Sequence, residues 1–199
     1  MRNLFASVAL VALGACATPT GMEAASRFDS FEAAAPVQLG DYDRVYLAPI
    51  AVSDDILDRL DRQIYRGTRD SEWAIDERTI NAKVEDLRED LVAELSERTT
   101  LVDAPGPGVL TIQLTLTELA SNRPTIAALS EEPSLSFQSI STGGAAVEAQ
   151  LLEGDRVLAM FEDRSRFNPI NDPVVQAGIW TEADRYFRQL GDKLAALLA

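Results

Sequence analysis

Few residue types in this chain are able to do chemistry. Among 199 residues there is no histidine and one cysteine, Cys16. Without an imidazole, Ser-His-Asp and Cys-His nucleophile systems, histidine-ligated zinc and histidine general bases are excluded. The two lysines, Lys83 and Lys193, fall inside amphipathic segments, away from any serine motif a Ser–Lys pair would need. Carboxylates are plentiful: 32 acidic residues against 18 basic give a formal charge of −14. That sign makes phosphate backbones poor partners and argues against nucleic acid. By count alone a calcium site or a glycosidase-type carboxylate pair stays open. Asp54, Asp58 and Asp61 share one helix face, but Arg59 and Arg62 lie among them and a solvated face is the simpler reading. The Asp-x-[Asp/Asn]-x-[Asp/Asn]-Gly calcium loop does not occur.

The glycines offer no phosphate cradle. Pro105-Gly106-Pro107-Gly108 has no following helix and no Gly-Lys-Ser/Thr, and its prolines remove N–H groups that a phosphate requires. It reads as a turn, and Gly143-Gly144 as the opening of a strand. Arg156, Arg164 and Arg166 make a local excess of positive charge, a candidate patch for an anionic partner, with Glu162 and Asp163 as competing local acids. Trp73 and Trp180 each precede an expected helix and read as core-edge residues. No metal, cofactor or enzymatic activity is expected.

The chemistry expected at Cys16 depends on what precedes it. Arg2 is followed by an apolar stretch from Leu4 to Leu13, relieved only by Ser7. About ten residues is a signal-peptide length, roughly half of the ~20 that span a bilayer as a helix. Leu13-Gly14-Ala15-Cys16 resembles the lipobox of bacterial lipoproteins. The resemblance implies cleavage between Ala15 and Cys16, acyl chains such as palmitate on the Cys16 sulfur and its new amine, and attachment to a membrane through them. Two or more chains anchor stably, at ~0.8 kcal/mol per buried methylene. With Cys16 consumed no disulfide is available, so the exported domain rests on its core. By analogy with lipoprotein sorting in enteric bacteria, Ala17 favours the outer over the inner membrane, with the domain facing the periplasm.

The elements that would position any site follow from the patterning. Residues 1–15 are assigned to the signal peptide, 16–40 to the lipidated N-terminus and a flexible linker of small, polar and proline residues, and 41–199 to a single domain; the alternative for the linker is a segment wrapped over the domain, with Phe28, Phe31 and Val37 each able to dock on it. As a coil that linker would span very roughly 25–30 Å. Val45–Ile50 reads as a buried strand ended by Pro49. Ser53-Asp54-Asp55 starts a short helix along Ile56, Leu60 and Ile64. A longer helix covers about 76–98, its stripe formed by Ile80, Val84, Leu87, Leu91 and Leu95. Leu101-Val102 is a candidate short strand. From Val109 to Leu119, leucine and isoleucine alternate with Thr111, Gln113, Thr115 and Thr117, which predicts a half-buried strand with a polar face in water or in an interface.

Residues 120–142 read as a long loop, with Ser134–Ile140 able to extend a strand. A hairpin then turns at Glu153-Gly154-Asp155. A two-residue turn pairs Leu151 with Leu158 and a three-residue loop pairs it with Val157. The last helix, Thr181–Leu198, shows Thr181 and Asp184 at capping-box spacing and a stripe of Ala183, Phe187, Leu190, Leu194 and Leu197. Gly191 inside it suggests close backbone packing. Together these predict an α+β two-layer sandwich: a mixed, largely antiparallel sheet of about five strands with two main amphipathic helices on one face. A domain of this size buries roughly 68–70% of its unfolded surface, enough without staples.

Several segments together resemble a family of uncharacterised Gram-negative lipoproteins, domain of unknown function 3313. They are the box at Cys16, Tyr42-Asp43-Arg44-Val45 with Ala48-Pro49-Ile50, the amphipathic helix into Leu101-Val102-Asp103, and Pro105-Gly106-Pro107-Gly108-Val109-Leu110. The hairpin to Phe161 with its Asp163-Arg164 exit and the helix after Trp180 complete the set. The resemblance implies export, lipidation and a small α+β domain, and brings no catalytic residue. The expected function is therefore a lipid-anchored envelope protein whose non-enzymatic domain binds an envelope protein or itself. The alternatives are a small-molecule carrier or sensor and an accessory subunit of an envelope transport or secretion machine.

Overall fold

The computed structural model describes residues 20–34, 38–63, 75–131, 136, 143–165 and 178–199. Helix α1 (Thr20–Ala25) and strand β1 (Ser30–Ala33) come first, then β2 (Arg44–Leu47), β3 (Ala51–Val52), α2 (Asp54–Gln63) and α3 (Glu77–Ser96). The second half holds β4 (Thr100–Leu101), β5 (Leu110–Ala120), α4 (Ile126–Glu131), β6 (Gly144–Glu153), β7 (Arg156–Arg164) and α5 (Thr181–Leu197). The sheet runs β1-β7-β6-β5-β2-β4, with β3 beside β2 on the same edge of β5. The β1–β7–β6–β5 ladders are antiparallel; β2 and β3 pair with β5, and β4 with β2, in parallel. The α+β two-layer sandwich is the architecture, and its sheet is mixed, with seven strands among the described residues rather than about five.

Periodicity explains the main layer. Asp76 caps α3 from an extended backbone, its Oδ1 accepting from the Thr79 N–H at 2.8 Å, and this bond holds the carboxyl below its usual range. Ile80, Leu87, Leu91 and Leu95 are buried, with Val84 partly so. In α5 all five stripe residues are buried, and Tyr186 joins them. The two helices run in the same direction and touch closely at Gly191, where a Cβ would lie 2.7 Å from Glu94 Cγ and 3.5 Å from the Asp90 carbonyl oxygen. The inward leucines and isoleucine of β5 meet Ala149, Leu151, Ala159 and Phe161 on the covered side of the sheet.

Four features differ from the sequence reading. Residues 20–34, expected in the flexible linker, are part of the fold: Ala24 and Phe28 are buried, the Phe28 and Phe161 rings lie 4.4 Å apart, and β1 pairs with β7. Docking through Phe28 was the alternative the sequence offered; the small, polar composition did not reveal the four residues that add a strand to the edge of β7. The hairpin takes neither expected pairing. Gly154 (φ 59°) and Asp155 form a two-residue turn closing Glu153 on Arg156, but a bulge at Leu158 sets Leu151 opposite Ala159.

At α5 the expected capping box is absent. Trp180 is the N-cap without a side-chain bond, and Thr181 Oγ1 donates instead to the Gly178 carbonyl at 3.3 Å. The cap comes from afar: Asn122, fully buried, accepts the Glu182 N–H through Oδ1 at 2.9 Å, while its own N–H donates to the Ile179 carbonyl at 2.7 Å. Asn122 also packs on Gly143, where a Cβ would meet its side chain within 2.8 Å. Finally, the expected loop after residue 120 contains α4, whose first turn is held by Thr125 Oγ1 accepting from the Ala128 N–H at 3.1 Å.

Candidate functional site

Of the singled-out residues, Ala15, Cys16, Trp73 and Arg166 lie outside the described residues, as does most of Ser134–Ile140. Arg156 and Arg164 stand at opposite ends of β7, about 26 Å apart at 3.3 Å per residue, so the strand does not gather them into one patch. Arg156 bonds Glu153 at 2.7 Å across the turn. Arg164 approaches Asp29, its Nε 3.9 Å from Oδ2, and its backbone N–H donates to the same oxygen at 3.0 Å. Asp54 and Asp58 are exposed. Among the described residues no group of three His, Cys, Asp or Glu is placed to hold a metal ion. The Gly106–Val109 turn is closed by the Val109 N–H donating to the Gly106 carbonyl at 3.1 Å, and Arg44 braces it through the Pro107 carbonyl.

Both lysines are engaged in ion pairs. Lys83, mostly buried on α3, bonds Asp86 and Asp184 at 2.7 Å each and sits 5.6 Å from the Trp180 ring centroid. Burial pulls its ammonium down, but those two carboxylates outweigh burial and raise it. Lys193 on α5 bonds both oxygens of Asp163 at 2.7 Å. The Asp163 side chain is 1% exposed on the covered face of β7, and burial raises its carboxyl despite Lys193. Tyr186 donates to the Asp163 carbonyl at 2.9 Å, and its phenol is pushed far up by burial first and the neighbouring charge second. Lys193 also lies 5.7 Å from the Phe28 ring centroid, so this pair ties α5, β7 and the N-terminal segment together. Both lysines are bound as cations, which is structural use rather than a nucleophile's environment.

The opposite side of the sheet carries a different surface. Strand register builds two rows across four strands. One is Glu32, Met160, Gln150 and Gln113; the other is Ser30, Glu162, Glu148 and Thr115. The rows line an open depression of about 290 Å³. Their three glutamates, two glutamines and Met160 are all exposed, and Met160, at 44%, is among the few large apolar side chains left in solvent. Glu148 stands directly opposite Glu162, and Glu32 opposite Met160 beside them. Neither row contains a lysine or arginine; Arg164, one row further on, points its guanidinium at Asp29. The arrangement can contact a partner through hydrogen bonds, charge and one flexible thioether. Its carboxylates are exposed, unlike the desolvated acid of a glycosidase pair.

The Thr/Gln half of this surface was visible in β5, although Thr111, expected on a polar face in water or in an interface, is buried with its hydroxyl unpartnered. The acidic half was not singled out. The signal was the period-two pattern Glu148/Gln150 and Met160/Glu162, which acquires meaning only once the bulge at Leu158 fixes the register.

Likeness to solved structures is confined to outline. A PelC dodecamer from Paraburkholderia phytofirmans is 10% identical, with 85% of this chain and 98% of that one covered and a TM-score of 0.44. A point variant of the same dodecamer is 11% identical, covering 85% and 97%, with a TM-score of 0.42. No curated protein matches the chain. Residues 30–194 match the family described as "Protein of unknown function (DUF3313)", and the chain belongs to that family.

Proposed function

We propose that this is a lipid-anchored cell-envelope protein whose periplasm-facing domain is a non-enzymatic interaction module. The observation that carries the reading is the uncovered pair of rows on β1, β7, β6 and β5. A two-layer sandwich has one sheet face under its helices and one free, and here the free face is a continuous belt of glutamate, glutamine, threonine and one exposed methionine. Such a belt can meet a protein surface of complementary charge through hydrogen bonds and ion pairs, on an envelope partner or a second copy. The engagement of both lysines in ion pairs, and a histidine count of zero, weigh against catalysis. A carrier of small apolar molecules is less well supported, because the depression is open and bordered by carboxylates. An accessory role in a transport or secretion assembly is a special case of partner binding.

Anchoring rests on Cys16, with the outer membrane favoured over the inner. Mass spectrometry of the protein isolated from a Gram-negative host should give a chain beginning at Cys16 with its acyl mass, and Cys16→Ser should leave the domain unattached to membranes. A photo-crosslinker at Gln113 should capture a defined protein species in cells, whereas one at Glu89 on the outer face of α3 should not. Capture from Glu89 alone would refute the assignment of the sheet face.

A further inference from the structure

The rows on the free face contain a contradiction that the fold alone does not explain. Glu148 and Glu162 are direct cross-strand neighbours, and like charges so placed, with side chains about 5 Å apart at Cβ, destabilise a sheet. Glu32 sits one residue pair away on β1, diagonal to Glu162. None of the three carboxylates is ion-paired to a described residue. Among the described residues, Arg164 on β7, two residues beyond Glu162, lies with its Nε 3.9 Å from Asp29 Oδ2, and beyond the row on β5 stands a further acid, Glu118. Amid these charges Met160 stays exposed, an adaptable apolar side chain of the kind that seats varied partners.

We infer that the β1–β7–β6–β5 face docks a basic segment of another protein, with lysine or arginine side chains over Glu32, Glu148 and Glu162 and an apolar residue on Met160. The inference rests on the interaction-module reading and names the partner's chemistry. Charge decides against a second copy as occupant, since two such faces would set six glutamates against one another. It also decides against an anionic ligand. A cationic partner cancels the repulsion that the unbound sheet carries, so the opposed glutamates cost the free domain stability and return it on binding.

The test uses the full-length chain and a fluorescein-labelled peptide of alternating lysine and valine, with an alternating serine–valine peptide as the neutral control. Fluorescence anisotropy at low salt should show binding of the lysine peptide only. Glu148→Gln with Glu162→Gln should weaken that binding about threefold to tenfold, the loss of two exposed charge pairs. Glu85→Gln with Glu89→Gln removes equal charge from the outer face of α3 and should leave binding within twofold of wild type (a tolerance of about 0.4 kcal/mol). The first double variant should also melt at the same temperature as wild type or higher. Equal weakening by both double variants would reduce the effect to general charge attraction and overturn the proposal, as would failure of the wild type to bind. A lowered melting temperature for the first variant would mean the glutamates are structural. Sedimentation showing a wild-type dimer that Glu148→Gln with Glu162→Gln dissolves would assign the face to a second copy. A specific crosslink from Gln113 to a protein lacking basic segments would leave the module reading standing and this one refuted.

Discussion

Removing the ammonium of Lys193 should be a severe change at the helix–sheet junction. In Lys193→Met the aliphatic stem is largely kept, while Asp163, with its side chain 1% exposed, loses both 2.7 Å bonds. Breaking a buried pair from one side costs about 3–5 kcal/mol. Lys193 itself is 22% exposed, so water can partly replace it, which puts the expectation at the lower end, about 3 kcal/mol. For a domain of this size that is a fall in Tm of roughly 6–12 °C.

The pH dependence of this variant carries a sign. Burial already raises the Asp163 carboxyl above its unfolded value in the presence of Lys193, and without the cation it rises further. A raised folded-state pKa means that the folded protein holds the proton more tightly. The stability it confers is complete below the ordinary Asp value of about 3.9 and is lost as pH climbs through the folded value. The deficit of Lys193→Met should therefore be largest near neutral pH and shrink as pH falls toward about 4, read by urea unfolding at several pH values. Asp163→Leu combined with Lys193→Met should regain most of the loss, because an apolar pair leaves no charge buried. A single variant as stable as wild type at pH 7, or a double variant worse than the single, would refute the account of Asp163 as a carboxylate sustained by Lys193.

Three further perturbations probe other junctions. Gly191→Ala gains up to ~1 kcal/mol of helix propensity but pushes a methyl into Glu94, so it should destabilise by about 1–2 kcal/mol. The penalty should fall to under about half that in a Glu94→Ala background, by double-mutant cycle in urea. Asn122→Ala removes the remote cap of α5 and should cost about 2 kcal/mol, with faster hydrogen exchange at the Glu182 amide. Phe28→Ala should cost about 3–4 kcal/mol in thermal unfolding, whereas a residue in a free tether would cost nothing.

What was legible in the sequence was whatever a single element encodes within itself. The four-three-four-four spacing from Ile80 to Leu95 and the alternation from Leu110 to Leu116 each specify an element and its buried face without reference to anything else. Gly191 belongs with them, since a glycine inside a strong helical stripe already implies a close neighbour. The features that were not legible depend on partners distant in the chain. Four residues at Ser30–Ala33 form a strand only because β7 offers an unpaired edge. Asn122 looks like loop polarity until Glu182, sixty residues later, is brought to it. The acidic rows needed the same kind of information, because one bulged residue at Leu158 determines which side chains of β6 and β7 stand side by side.

If Cys16 is acylated as proposed, the docking of the N-terminal segment sets how the domain sits at the bilayer. The first described element starts at Thr20, four Cα steps from Cys16, and at 3.8 Å per step four steps span at most about 15 Å. A domain moored at Cys16 would ride close above the lipid headgroups with its α1 end lowermost. Such a berth restricts how far the module can swing, and any companion it greets must come within a shallow layer next to the membrane.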